Sequence, residues 1–319
     1  MQDRYGRTIE YLRLSVTDSC NLNCMYCTPG SGGHGDADCM RMSPDEMGRV
    51  VGILAGLGIR KVRITGGEPL LREDICDIVE KIAARPEIRD ISLTTNAIRL
   101  GPLAGKLKAS GLRRVNISLD SLNPERFTRM TGGGNLEDTL EGVLRALEAG
   151  LTPVKINTVL IKGINDEEVD DFIRLTGRYP LDVRFIELMP VGRFGEMNRD
   201  RIVPNDSIIA ARPFLIPCGD DEPGQPARYY RIEGHPGWVG FISPVSHKFC
   251  HCCNRIRLTC DGKIRPCLGN NGEADILEVL RHRPEDLGNL IFDIIFDKPA
   301  GHDFQNGFSS TRGMGAIGG

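Results

Sequence analysis

The sequence predicts an α/β protein built on a parallel sheet, open or barrel-like, with a C-terminal extension beyond it. Six apolar, β-rich runs alternate with helical patterns between residue 11 and about 190, and such alternation argues parallel strands joined by helical crossovers. A loop with three cysteines follows the first run directly, at the strand end where parallel barrels place their chemistry. Residues 217–226 then break the composition with three prolines and two glycines. A turn-rich linker is expected there, dividing the chain into 1–220 and 221–319.

The strands are expected at 11–17, 61–65, 90–95, 113–119, 153–161 and 182–188. Between them, Ser43–Leu57 reads as a helix with Ser43 as cap and Pro44 at the first helical position. Segments 136–149 and 166–177 carry the same apolar spacing. Residues 28–41, with four glycines and Pro29, form a loop with no core of its own.

Composition narrows the function. Hydrophobic content of 40% and charged content of 26% suit an ordinary soluble globular chain. A net charge of −3, one Trp and six Tyr argue against nucleic acid as a partner. No apolar run is long enough to span a membrane, and the N-terminus lacks an export signal. Eleven cysteines in such a chain point to a reducing cytoplasm and to metal binding rather than disulfides.

The metal reading starts at Cys20, Cys24 and Cys27, spaced C-x3-C-x2-C. Three local thiolates suit a [4Fe–4S] cube with one iron left open for a ligand, while a zinc loop completed from elsewhere is the alternative. A second set, Cys250, Cys253 and Cys267, is spaced C-x2-C-x13-C. It too could be a zinc knuckle, with His247, His251, Cys252 or Cys260 as fourth ligand. Cations gather on the strands: Arg13 on the first, Lys61 and Arg63 on the second, Lys155 on the fifth and Arg184 on the sixth. Residues two apart on a strand share a face, so an inward face would concentrate positive charge that calls for a polyanion such as a triphosphate. Arg255 and Arg257 repeat the pattern beside the second cysteine set. No Walker loop competes, because Gly101–Leu107 has the wrong spacing.

The strand-like run 11–17 followed by C-x3-C-x-Tyr-C, with Gly66-Gly67-Glu68-Pro69 after the next strand, resembles the radical S-adenosylmethionine (SAM) superfamily. With the basic strands, the second motif F-C-x2-C-N-R-x-R-L-T-x-D-G-x4-C-L and a terminal Gly-Gly, the chain resembles the GTP 3′,8-cyclase family over nearly its full length. That resemblance implies an incomplete (βα)6 TIM-type barrel whose C-terminal extension closes the open side and carries a second [4Fe–4S] cluster. It implies a lyase that cleaves SAM reductively, takes hydrogen from C3′ of GTP and joins C3′ to C8. The product, 3′,8-cyclo-7,8-dihydro-GTP, begins molybdenum cofactor biosynthesis. An electron donor and a homodimeric state are implied as well.

The resemblance also assigns positions. Cys20, Cys24 and Cys27 hold the first cluster, and Cys250, Cys253 and Cys267 the second. Tyr26, Gly66, Gly67, Glu68, Thr94, Ser118 and Met189 line the SAM pocket, although strand-end hydroxyls also cap helices. Lys61, Arg63, Lys155 and Arg184 bind the triphosphate, and Arg13, Arg255 and Arg257 serve both binding and catalysis. Gly318 and Gly319 thread into the barrel beside the arginines, where composition alone suggests a frayed terminus. The chain departs from the family pattern in the extra thiols Cys252 and Cys260, in Ser19, and in the turn at Met314–Ile317. Cys39, Cys76 and Cys218 read as ordinary thiols. A peptide-modifying two-cluster enzyme and a non-enzymatic metal protein are the rivals.

Overall fold

The computed structural model describes residues 1–27, 42–219, 224–302, 304 and 308–318. Six parallel strands run in chain order: β1 (Tyr11–Ser15), β2 (Lys61–Thr65), β3 (Asp90–Thr95), β4 (Arg114–Ser118), β5 (Val154–Leu160) and β6 (Leu181–Glu187). Each lies within two residues of its expected place. Helices fill the crossovers at Pro44–Gly56, Ile75–Ala83, Ala104–Ala109, Pro124–Thr131, Leu136–Glu148 and Val169–Arg178. The first begins as its sequence predicts. Ser43 Oγ accepts from Glu46 N at 3.2 Å, and Ser43 N donates to the Glu46 carboxylate at 2.8 Å, a reciprocal cap that satisfies two otherwise orphaned donors.

The later strands are β7 (Ile216–Pro217), β8 (Ala227–Arg231), β9 (Val239–Ile242), β10 (Arg255–Leu258), β11 (Lys263–Arg265) and β12 (Ala274–Asp275). They join the same sheet at both edges, in the order β12-β11-β10-β1-β2-β3-β4-β5-β6-β9-β8-β7. Strand β10 pairs parallel with β1, and β9 pairs parallel with β6. The expectation that the extension closes the barrel needs correcting on this point. It widens the wall at both sides, and β12 and β7 remain separate edges among the described residues. Closure would require those two antiparallel ribbons to meet.

Buried parallel strands usually read as continuous apolar runs; these alternate. Leu12 and Leu14, Val62 and Ile64, Ile91 and Leu93, and Val115 and Ile117 face one way. They join one buried cluster with helix residues such as Met47, Val50, Ile78, Val79, Leu107, Val143 and Phe172. Burying such side chains contributes roughly 1.5–3 kcal/mol each, so this helix-covered face carries the fold. The opposite face is polar, which leaves it free for chemistry. It curls inward. Arg63 on β2 and Arg184 on β6 are electrostatic neighbours, although four strand spacings would separate them by about 19 Å in a flat sheet.

Candidate active site

The first cysteine loop is tied down from two sides. On one side Gly67 N donates to Thr17 O at 2.7 Å, Glu68 N to Ser19 O at 2.8 Å, and Asn96 Nδ2 to Asn21 Oδ1 at 2.8 Å. On the other, Asn23 N and Met25 N donate to the carbonyls of Thr131 and Met130, both at 2.9 Å, at the end of the helix Pro124–Thr131. Gly66 and Gly67 are glycines because the loop passes so close. A Cβ on Gly67 would stand 2.2 Å from Ser19 O, and one on Gly66 2.5 Å from Thr17 O. Both glycines press on the loop that carries the thiols.

Glu68 is buried and spends its carboxylate internally. It accepts from Leu70 N at 3.0 Å, Thr95 Oγ1 at 2.7 Å and Asn96 N at 2.7 Å, tying the end of β2 to the end of β3. Burial raises its pKa, and those donors oppose the rise. Tyr26 donates to buried Asp120 at 2.7 Å. Asp120 also accepts from Val159 N at 2.8 Å, and burial lifts its pKa to about 6. Thr94 Oγ1, Asn157 Oδ1, Tyr11 Oη and Arg184 Nε are buried without a partner. All four belong to the polar face of the sheet, and buried polar atoms ordinarily find partners. Ser118 and Met189 are half-buried beyond this row, at the end of β4 and just after β6.

Cys20, Cys24 and Cys27 are mutual electrostatic neighbours. Burial dominates their chemistry as free thiols, raising Cys24 well above the ordinary range and Cys27 to about 12. A metal reverses this preference by displacing the proton. Cys250, Cys253 and Cys267 are likewise neighbours. Of the alternative fourth ligands, Cys252 Sγ lies on Phe249 O at 3.4 Å, and His247 pairs with Asp206 at the surface. Among the described residues, no three His, Cys, Asp or Glu side chains converge on a single ion. Corners of an iron–sulfur cube need not converge so tightly, because each thiolate takes a different iron. Cys76 lies on the helix Ile75–Ala83 and Cys218 follows β7; Cys39 falls outside the described residues.

The cations line up by register. Arg257, Arg13 and Arg63 are direct neighbours across β10, β1 and β2, with Ser92 and Arg114 continuing the row. One register step below stand Arg255, Tyr11, Lys61 and Asp90. The Tyr11 ring lies between two guanidiniums, Arg63 at 5.4 Å and Arg255 at 5.8 Å, a favourable placement over an aromatic face. Across the curl, Arg184 Nη2 donates to Asn116 Oδ1 at 2.5 Å. Lys155 meets Asp182 and the Tyr229 hydroxyl, both at 2.7 Å. Lys61 is looser, 3.4 Å from Glu10. Arg63, Arg184, Arg255 and Arg257 have no carboxylate partner among the described residues. Burial, opposed by Tyr11 and reinforced by neighbouring arginines, lowers the Arg63 pKa to about 10; burial also takes Arg257 to about 10, and Arg13 well down. Such a field favours an anion.

The tail enters this field. Arg312 is held by Asp261 and Glu273, both at 3.0 Å, and a short helical turn follows at Met314–Ile317. A Cβ on Gly315 would stand 4.0 Å from Cys27 Sγ, and Ile317 is buried. The Gly318 carbonyl accepts from Arg13 Nε at 3.0 Å and from Arg257. Gly318 has φ +70°, and a Cβ there would stand 2.6 Å from Thr65 Oγ1. A left-handed conformation and a close approach both demand glycine. Gly319 lies outside the described residues.

Comparison with known proteins decides the family. Residues 14–176 match the radical SAM superfamily, and residues 181–304 match the molybdenum cofactor synthesis C family. A GTP 3′,8-cyclase of Alkaliphilus oremlandii (strain OhILAs) is 46% identical over 321 residues, covering all of both chains. That of Peptoclostridium acidaminophilum is 46% identical over 318 residues, covering 99% of this chain and 98% of its own. The chain belongs to the GTP 3′,8-cyclase family of radical SAM proteins. Membership brings SAM and a [4Fe–4S] cluster, and the Cys20, Cys24 and Cys27 set fits that cluster as a donor set. In fold the chain also resembles Streptococcus suis SuiB bound to the precursor peptide SuiA, with TM-score 0.63 and 15% identity over 94% of this chain and 72% of that one. At that identity the likeness shows a shared fold alone.

Several residues of this cyclase site carried no signal in the sequence. Tyr11, Asn116, Asn157, Asp182 and Tyr229 touch the cations or face them. Only the two-residue alternation on the strands could have found the first four.

Proposed function

We propose that this protein is a radical SAM lyase that converts GTP to 3′,8-cyclo-7,8-dihydro-GTP, the first step of molybdenum cofactor biosynthesis. The supporting observation is the single curled face that joins the SAM end of the sheet to a row of cations, in which Arg63 and Arg257 have no carboxylate partner among the described residues. GTP offers a triphosphate for that row. Arg63, Arg184, Lys155 and Lys61 bind it, with Arg13, Arg255 and Arg257 nearer the tail. Arginine suits phosphate through charge-assisted, often paired hydrogen bonds.

When bound, SAM and the first cluster supply a 5′-deoxyadenosyl radical. The chain's own residues do the rest by placement. Gly66, Gly67 and Glu68 fix the cysteine loop, and Tyr26 is set by Asp120. Thr94, Ser118, Asn157 and Met189 border the space between that loop and the cations. Cys250, Cys253 and Cys267 would hold a second [4Fe–4S] cluster. Holding C3′ close to both the radical and C8 is worth far more than any single contact, because it removes orientational freedom beforehand. The Gly318 carbonyl keeps Arg13 and Arg257 aimed, and the tail helps exclude water. We place the boundary between the two units near residue 220. An external electron donor, a homodimer and a cytoplasmic location complete the reading.

The test is anaerobic incubation of reconstituted protein with SAM, reductant and GTP. Cyclised product together with 5′-deoxyadenosine is expected. Zinc in place of iron, or SAM cleavage stimulated by a peptide and indifferent to GTP, would return the rivals.

A further inference from the structure

Lys298 is almost completely buried, yet it has no carboxylate partner among the described residues. Its Nζ donates to Pro266 O at 2.5 Å, the residue before Cys267. Its own carbonyl is gripped by Arg7, whose guanidinium also donates to Pro299 O at 2.7 Å, Ala300 O at 2.9 Å and Cys250 O at 2.9 Å, with Asp3 at 2.6 Å as counter-charge. A Cβ on Gly301 would meet Cys250 Sγ at 3.5 Å. The segment 298–301 therefore touches the second cysteine set at Cys250 and again beside Cys267. An isolated buried charge is costly unless something nearby compensates it. Neutral thiols would not.

We propose that Lys298 is the fixed counter-charge of the second cluster, a positioning residue that stabilises its thiolates and makes the cluster easier to reduce. The inference rests on the reading that Cys250, Cys253 and Cys267 hold a cluster. Arg7 is the clamp that keeps the lysine there. The lack of a carboxylate partner among the described residues then makes sense, because a cube held by three thiolates is itself anionic and gains charge on reduction.

Lys298→Met keeps most of the side chain's volume and removes the charge; Lys298→Arg keeps the charge. Full-length protein is purified anaerobically, and two properties are measured. Thermal unfolding is followed with clusters loaded and after stripping by a chelator. The midpoint potential is read from the electron paramagnetic resonance signal that SAM does not alter. Lys298→Met should lower the loaded melting temperature while leaving the stripped one unchanged or higher, because in the stripped protein the charge has no counter-ion among the described residues. Its midpoint should move to more negative values, and Lys298→Arg should stay close to wild type. An equal fall in both melting temperatures, or an unmoved midpoint, overturns the proposal. If Lys298→Met fails to load, loading by Lys298→Arg supports the charge role and failure of both overturns it. A wild-type protein with no SAM-insensitive cluster signal would instead sink the second cluster itself.

Discussion

Arg184→Ala should weaken GTP binding strongly without unfolding the protein. Arg184 is 5% exposed on β6. One nitrogen donates to Asn116, while Nε is buried with no partner. An orphaned charged donor facing a lumen of other arginines is waiting for an acceptor. A hydrogen bond to a charged group is worth about 1.5–3 kcal/mol, which corresponds to about 10- to 150-fold in affinity. The folded state should lose little, since the substitution also removes a buried charge that lacks a counter-ion among the described residues. Equilibrium binding of GTP and of guanosine to anaerobic protein separates the terms. The deficit should appear with GTP and vanish with guanosine. An equal deficit for both ligands would place Arg184 at the base or ribose, and no deficit would mean that the triphosphate lies elsewhere.

Four other outcomes follow from the same geometry. Cys24→Ala should abolish 5′-deoxyadenosine formation while the second cluster still assembles, as iron analysis and spectroscopy would report. Gly67→Ala forces the cysteine loop away from its 2.2 Å approach, so first-cluster iron and SAM cleavage should fall together; normal values would show that the loop can shift freely. Arg7→Met strips buried Asp3 of its partner and should destabilise the protein by about 3–5 kcal/mol in a denaturant melt. Removing Gly318 and Gly319 should leave both clusters and SAM binding in place but stop cyclisation, because Arg13 and Arg257 lose the carbonyl that aims them.

The six-strand frame was legible because each strand pairs strong β-formers with a two-residue alternation, and each crossover helix has a three- or four-residue one. Arg13 and Ser15, or Lys61 and Arg63, declare a shared face without any knowledge of partners. What stayed hidden was non-local. Nothing near Arg255–Leu258 says that it pairs with β1, over two hundred residues earlier, so the contiguous Arg257–Arg13–Arg63 row could not be read in advance. The same limit concealed the outcome at the edges, where β9 and β10 extend the wall. Glu68 illustrates a different gap. Its place in Gly66-Gly67-Glu68-Pro69 marked it as functional, and nothing local says that its carboxylate would accept from Leu70 in the turn after β2 and from Thr95 and Asn96 at the end of β3. Lys298 and Arg7 sit in no spacing pattern that chemistry would single out, and only burial without a carboxylate, or saturation by carbonyls, reveals them.

The most direct measurement uses GTP carrying deuterium at C3′, incubated anaerobically with SAM and a reductant. If the curled face holds the ribose against the first cluster as proposed, deuterium passes into 5′-deoxyadenosine while cyclised product accumulates. Unlabelled 5′-deoxyadenosine, formed equally with and without GTP, would contradict the account.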